Sequence, residues 1–157
     1  MKLTNATEQA IAIIALLTTQ LPDIPASSAT INKKLSVSPS YSRKLLRKLV
    51  VAEIIGGVSG NNGGFYLERS LDELTLLEVV EAIEGPFVSF PDIGVLERAF
   101  ANFNELAQNG DKIVSAYFAE ADQAWSNTLG NIKVNEVLSL IFSDYKEFPK
   151  HDWNQLV

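Results

Sequence analysis

Residues 36–52, S-V-S-P-S-Y-S-R-K-L-L-R-K-L-V-V-A, restrict the backbone more than any other part of this chain. Ser38 occupies an N-cap position and Pro39 the first helical position, where its missing N–H costs nothing and its fixed φ suits the helix. Tyr41, Leu45 and Leu49, with Leu46 and Val50 beside them, recur at steps of three and four and form a stripe that must be buried. The opposite face carries Arg43, Lys44, Arg47 and Lys48. They form two like-charged pairs four residues apart, which weakens an isolated helix and points to an external anion that offsets the repulsion. Phosphate is the obvious candidate, and a solvated surface is the plain alternative.

The flanking residues favour phosphate. Upstream, residues 27–35 read as a short helix with Ala29, Ile31 and Leu35 turned inward, and Ser36-Val37 is a tight connection. Downstream, I-I-G-G-V, S-G-N-N-G-G and F-Y-L read as strand, turn and strand. Helix, turn, basic helix and glycine-rich hairpin together predict a winged helix-turn-helix. The expected class is mainly α with a small β-hairpin wing, plus C-terminal dimerisation helices.

Charge along the chain supports this division. The net charge of the 157 residues is −6, yet residues 1–70 carry eight Lys/Arg against four acids, a net of +4, and residues 71–157 carry −10. A basic half joined to an acidic half suits a DNA-binding module whose other part stays off DNA. Hydrophobic residues at 46% and charged residues at 20% describe a globular chain. There is no cysteine, which removes disulfides, thiolate metal sites and cysteine nucleophiles together. With no signal-like start and no long apolar run, a cytoplasmic location and no membrane partner are expected.

In order, Asn5 with Glu8 reads as a capping box for a helix over residues 6–20, with Ala10, Ile13, Ile14 and Leu17 on one face. Pro22 and Pro25 end it. After the hairpin, Thr75-Leu76-Leu77-Glu78 is a second capping box, opening a helix with Leu76, Val79, Val80 and Ile83 inward, and Gly85-Pro86 closes it. Residues 87–94 read as loop. Residues 95–107 return to helical pattern, with Leu96, Ala99, Phe100, Phe103 and Leu106 on one side. The strongest pattern runs over residues 111–129, where Ile113, Val114, Tyr117, Phe118, Ala121, Ala124, Trp125 and Leu129 share a broad face. A small winged helix has little spare interior to cover it, so a homodimer through Ile113, Val114, Tyr117, Phe118, Ala121 and Trp125 is expected, an intramolecular core helix being the alternative. Residues 130–133 read as a short strand or turn and 134–142 as a last helix, and the tail through His151 and Trp153 is either frayed or crosses to a partner. The expected division is residues 1–86, DNA-binding, and 87–157, helical and dimerising.

Taken together, the opening M-K-L-T, the S-V-S-P-S-Y-S-R-K-L-L-R-K-L helix, the S-G-N-N-G-G-F-Y-L hairpin and L-T-L-L-E-V-V-E-A-I-E-G-P resemble the Rrf-two family of bacterial winged-helix regulators. The I-E-G-P ending is the most specific piece. The resemblance covers about residues 1–87 well and the remainder in helical pattern only. It implies a homodimer that places each recognition helix in the major groove of double-stranded DNA and each wing near the minor groove, and that pairs through a long helix after the wing. Many members hold an iron-sulfur cluster on three cysteines in the region matching residues 88–104, and this chain has none there, so no cofactor is expected. Glu8, near where some members supply an acidic ligand, reads as a cap. The wing also departs from the pattern, with Ser59 in place of a basic residue and Asn61 and Asn62 at the tip, so arginine insertion into a narrow minor groove is not available to it.

The expected DNA contacts are Ser38, Ser40, Tyr41, Arg43, Lys44, Arg47, Lys48, Ser59, Asn61 and Asn62. Arg43 and Lys44, in the first two turns, are assigned to bases, Arg47 and Lys48 to phosphate. Tyr41 is open between core and contact, and Lys33 and Lys34 are further backbone-contact candidates. No nucleophile, base and orienting group cluster as an enzyme needs. The single His151 reads as a solvated tail residue, and Glu78, Glu81 and Glu84 as an exposed helical face. Gly60-Asn61-Asn62-Gly63-Gly64 lacks the Lys-Ser/Thr of a phosphate cradle. The alternative function is a winged-helix protein-interaction module without sequence-specific DNA binding, for which four cations on one helix face have no use. An effector of unidentified kind, small molecule or protein, is left open.

Overall fold

The first helix is capped one residue earlier than expected. In the computed structural model, which describes residues 2–155 (side chains at 107 and 108 excepted), α1 spans Asn5–Thr19 and Thr4 caps it, its hydroxyl accepting from Ala6 N–H at 3.3 Å. Asn5 is already helical and Glu8 is solvent-exposed, so neither acts as the expected capping pair. The Thr4 hydroxyl is fixed from outside the helix, because it donates to Glu84 at 2.6 Å. Asn5 has no such distant partner among the described residues to orient it.

Helix α2, Ser28–Leu35, is capped by Ser27 and ends at Ser36, which adopts a left-handed backbone (φ 53°) and returns its N–H to Lys33 O. That conformation closes the turn within three residues, since the next helix, α3, Pro39–Val51, is already capped by Ser38. Strands β1, Ile55–Val58, and β2, Gly64–Leu67, pair antiparallel with Ile55 opposite Leu67 and Val58 opposite Gly64. The hairpin has a third edge. Ala26, in the loop between α1 and α2, exchanges two backbone hydrogen bonds of 2.9 Å with Phe65. A Cβ at residue 64 would lie 2.4 Å from the Ala26 oxygen, so glycine there is what lets the loop approach.

Helix α4, Leu76–Glu84, opens with the expected capping box: Thr75 Oγ1 accepts from Glu78 N–H and the Glu78 carboxylate accepts from Thr75 N–H. Helices α1, α3 and α4 pack on one another around a core in which Ile13, Ile14, Ile31, Leu49, Ile55 and Val79 are fully buried. The chain then leaves this core and returns to it. Leu76 N–H donates to Ile132 O and Val134 N–H to Leu74 O, and α8, Val134–Ile141, buries Val134 and Leu138 among the same side chains.

Beyond α8 the tail lies along α1 as an ordered strap. His151 exchanges backbone bonds with Thr19 and Leu21, Trp153 Nε1 donates to Thr19 Oγ1 at 3.0 Å, and the Lys34 ammonium sits 4.8 Å above the Trp153 ring. Asn154 Oδ1 accepts from Ser27 N–H and the Thr30 hydroxyl, both at 2.9 Å, while its Nδ2 donates to Pro25 O. The expectation of a frayed or crossing tail gives way to one folded back on its own helix-turn-helix. Local sequence could not show this, because every hydrogen-bond partner lies more than 120 residues away.

Two compact units result: Lys2–Gly85 with Gly130–Val157, and Pro86–Leu129. The expected single boundary at residue 86, with residues 87–157 forming one helical region, is therefore corrected to a central insertion. Within Pro86–Leu129, the helix expected over residues 95–107 is broken into α5, Val95–Ala99, and α6, Glu105–Gln108. The intervening A-N-F-N places two weak helix formers in a row of four, and Phe103 N–H turns back to Phe100 O. The expected stop at Asn109-Gly110 instead marks the start of α7, Gly110–Gly130. Asp111, buried, accepts from Leu96 N–H and Glu97 N–H (3.4 and 2.8 Å), so it supplies the N-terminal cap that Gly94 lacks for α5.

Candidate nucleic-acid interface

The face of α3 that meets solvent is set by which residues go under it. Ser42, Leu45, Leu46 and Leu49 are buried, so the apolar stripe sits one residue round from the expected one and Tyr41 and Val50 fall at its exposed edges. Tyr41, 37% exposed, thus lies on the outer side beside the helix start. Ser38 uses its hydroxyl to accept from Tyr41 N–H and lies 3.3 Å from the Ser40 hydroxyl. Both serines are exposed at the N-terminal end, where free N–H groups and the helix dipole attract anions.

Arg43, Lys44 and Arg47 are exposed and make no hydrogen bond or ion pair among the described residues. Lys48 differs from them. Its ammonium donates to the carbonyl of Ile83 in the last turn of α4, a position where the partial negative charge of a helix end favours a cation. One of the four cations expected on the phosphate-facing side is therefore engaged within the protein.

The same corner holds Glu84. Its Oε1 accepts from Thr4 N–H, the Thr4 hydroxyl and the Thr7 hydroxyl at 2.9, 2.6 and 2.6 Å. The Thr4 and Thr7 hydroxyls, with smaller help from Lys48, hold the Glu84 carboxyl below its ordinary value of 4.5 against the effect of burial. Gly85 follows at φ 86° and ends α4. Glu84 is thus a ligand for the start of α1, a role the expectation of a solvated Glu78–Glu81–Glu84 face missed. Glu78 departs from that face too. Partial burial pushes its carboxyl up, but the Thr75 N–H and hydroxyl and the 3.1 Å ion pair with Arg69 together outweigh burial and lower it.

At the wing, Ser59, Asn61 and Asn62 are exposed, and the turn closes through Gly63 N–H to Gly60 O with Gly60 at φ 114°. The Asn61 and Asn62 side chains make no hydrogen bond among the described residues. Helix start, cationic face and wing tip belong to one unit, so all ten residues expected to meet DNA lie in it, the ammonium of Lys48 being engaged by the Ile83 carbonyl.

The residues expected at a dimer interface lie on α7, of which only Asp111 is buried among the described residues. Ile113, Tyr117, Phe118 and Ala121 are exposed, Tyr117 at 71%, while Val114 and Trp125 are half-buried. The chain's own loop supplies part of that cover. Phe87 stacks on Trp125 at 4.4 Å between centroids, and Phe90 on Phe118 at 5.1 Å. Phe103 and Leu106, expected on one side of a helix over residues 95–107, are 63% and 70% exposed and extend the apolar surface of this unit.

The family model described as "Rrf2: Iron-dependent Transcriptional regulator" matches residues 3–139. Among relatives, YwgB of Bacillus subtilis (strain 168), named as an HTH-type transcriptional regulator, is 29% identical over 153 residues, covering 98% of this chain and 94% of its own. YffB of Lactococcus lactis, similarly named, is 28% identical over 137 residues, covering 87% and 86%. Among solved structures, CymR of B. subtilis, titled the global cysteine regulator, superposes with a TM-score of 0.63 at 20% identity over 89% of this chain and 98% of that one. The structure titled T. potens IscR gives 0.60 at 17% identity over 90% and 88%. The family description names iron, and the donor set here does not fit a thiolate-held cluster. The sequence has no cysteine and one histidine, and no group of three or more metal-ligating side chains occurs among the described residues. The match over most of the length, on a winged helix whose basic helix and hairpin lie exposed in one unit, places the chain in the Rrf2 family of transcriptional regulators.

Proposed function

We propose that the protein is a homodimeric, sequence-specific DNA-binding regulator that recognises a two-fold-related operator, with neither an iron-sulfur cluster nor an enzymatic step. The observation that carries this reading is the α3 face on which Arg43, Lys44 and Arg47 are exposed and unpaired, starting at the Ser38-Pro39 entry and flanked by a polar wing tip. Arg43 and Lys44 are assigned to base edges, since residues in the first turns of a recognition helix reach the major groove and an arginine there takes guanine O6 and N7 together. Arg47 is assigned to backbone phosphate. Ser38 and Ser40 donate to phosphate at the helix start, Tyr41 packs beside them, and Ser59, Asn61 and Asn62 meet the neighbouring groove edge or backbone. Lys48 leaves the phosphate set and becomes a structural cation.

Pairing through Ile113, Val114, Tyr117, Phe118, Ala121 and Trp125 is supported by the exposure of Ile113, Tyr117 and Phe118 along one helix, since contiguous exposed apolar surface marks interaction sites. Selection of binding sites from a random DNA pool, followed by competitive titration of the selected and a scrambled site at several salt concentrations, tests the reading. A preferred site with inverted half-sites and a steep salt dependence is expected. Equal affinity for every sequence would reject it in favour of an interaction module.

A further inference from the structure

A cleft of about 550 Å³ opens where the end of α1, the Leu21–Pro25 loop, the root of the wing and the returning tail meet. It lies within the size range of small-molecule sites. Its walls are chiefly apolar and include the aromatic rings of Phe65, Tyr66 and Phe148, with Leu21, Ile24 and Val58 at the exposed mouth. Two charged side chains line it, and they are not equivalent. Lys150 donates to Thr18 O at 2.6 Å, so its ammonium is already seated on the carbonyl end of α1. Asp23 has no hydrogen-bond or ionic partner among the described residues, and its backbone takes a left-handed conformation (φ 63°).

We propose that this cleft binds an apolar monocation: a bulky or aromatic body carrying one ammonium, phosphonium or comparable charge, with Asp23 as its counter-ion. Charge complementarity selects the sign, since the Lys150 ammonium is held by the carbonyl end of α1 and Asp23 is the charged group of the lining left without a partner among the described residues. The rings of Phe65, Tyr66 and Phe148 supply the faces on which such a cation is additionally attracted. A neutral apolar guest would leave the Asp23 carboxylate unused, and an anionic one would oppose it. The site stands independently of any reading of DNA recognition.

Two probes of nearly identical shape and opposite charge, tetraphenylphosphonium and tetraphenylborate, separate charge from hydrophobicity. Calorimetric titration of the full chain should give roughly tenfold tighter binding of the phosphonium than of the borate. Asp23→Asn keeps a side chain that tolerates the left-handed backbone. It should leave the melting temperature unchanged, weaken the phosphonium by about tenfold and abolish the preference between the ions. Glu120→Gln, removing an exposed carboxylate on α7, should change neither affinity. Equal affinity for the two ions, an Asp23→Asn protein that binds phosphonium as wild type does, an equal loss in Glu120→Gln, or no phosphonium binding at millimolar concentration would each overturn the proposal.

Discussion

Lys48 and Arg47 are adjacent in sequence and alike in charge, yet their surroundings separate their roles. Arg47 projects unpaired, whereas Lys48 closes the corner at which Ile83, Glu84 and Gly85 join α3, α4 and α1. The I-E-G-P signature thus has a physical content here. Its isoleucine offers a carbonyl to the recognition helix, its glutamate binds the first turn of α1, and its glycine takes the positive φ that stops α4. Three substitutions separate the roles on α3. Arg43→Ala should cost about 1–3 kcal/mol on the preferred site and flatten discrimination at one base pair per half-site, while Arg47→Ala should weaken all sequences alike and lower the salt slope by about one per subunit. Lys48→Ala should leave that slope near wild type and lower the melting temperature instead. Competitive binding at graded salt and a thermal melt check all three. For Glu84 the sign of the pH effect follows from its lowered carboxyl. A folded value below the unfolded one contributes stability fully present above 4.5 and lost as pH falls through the folded value. Glu84→Gln should therefore melt below wild type at neutral pH, with the gap closing in acid. A gap independent of pH would remove the charge from the explanation.

Elements held by local chemistry were legible in advance, and those held by distant partners were not. The Ser38-Pro39 entry, the Thr75–Glu78 box and the glycine-rich hairpin each state their structure within a few residues. The break between α5 and α6 was missed because the apolar spacing runs through it, while two asparagines and the outside cap from Asp111 decide against one continuous helix. The wing is an intermediate case. Its turn was readable, but its anchor to Ala26 was not, since nothing near Phe65 announces a strand partner some forty residues earlier. Gly64 records that anchor as a close approach. Gly64→Ala would force a Cβ against the Ala26 oxygen, so a loss of about 1–3 kcal/mol in urea denaturation is expected, with Gly57→Ala, where a Cβ meets nothing closer than 3.6 Å, far milder. Equal losses at the two glycines would mean that the Ala26 contact contributes nothing.

At the scale of the molecule, the apolar face of residues 111–129 was visible as periodicity, but its partial cover by Phe87 and Phe90 was not, because loop residues 87–94 have no period to read. That cover changes which substitution tests pairing. Trp125 is occupied within its own chain, so Tyr117→Glu is the cleaner probe: sedimentation at micromolar concentration should give about twice the chain mass for wild type and about half that value for the variant. A monomeric wild type would leave the apolar face without its proposed partner. The return of residues 130–154 to the first core has a consequence in the order of synthesis. Helix α3 leaves the ribosome well before Ile132 can accept from Leu76, before α8, and before Asn154 can reach Ser27 and Thr30. Domains normally close as units, in order, while the chain is being made. Here the first core receives its last backbone bonds and the buried Val134 and Leu138 only after the central insertion has been translated, so a unit whose helices are encoded early is expected to close late.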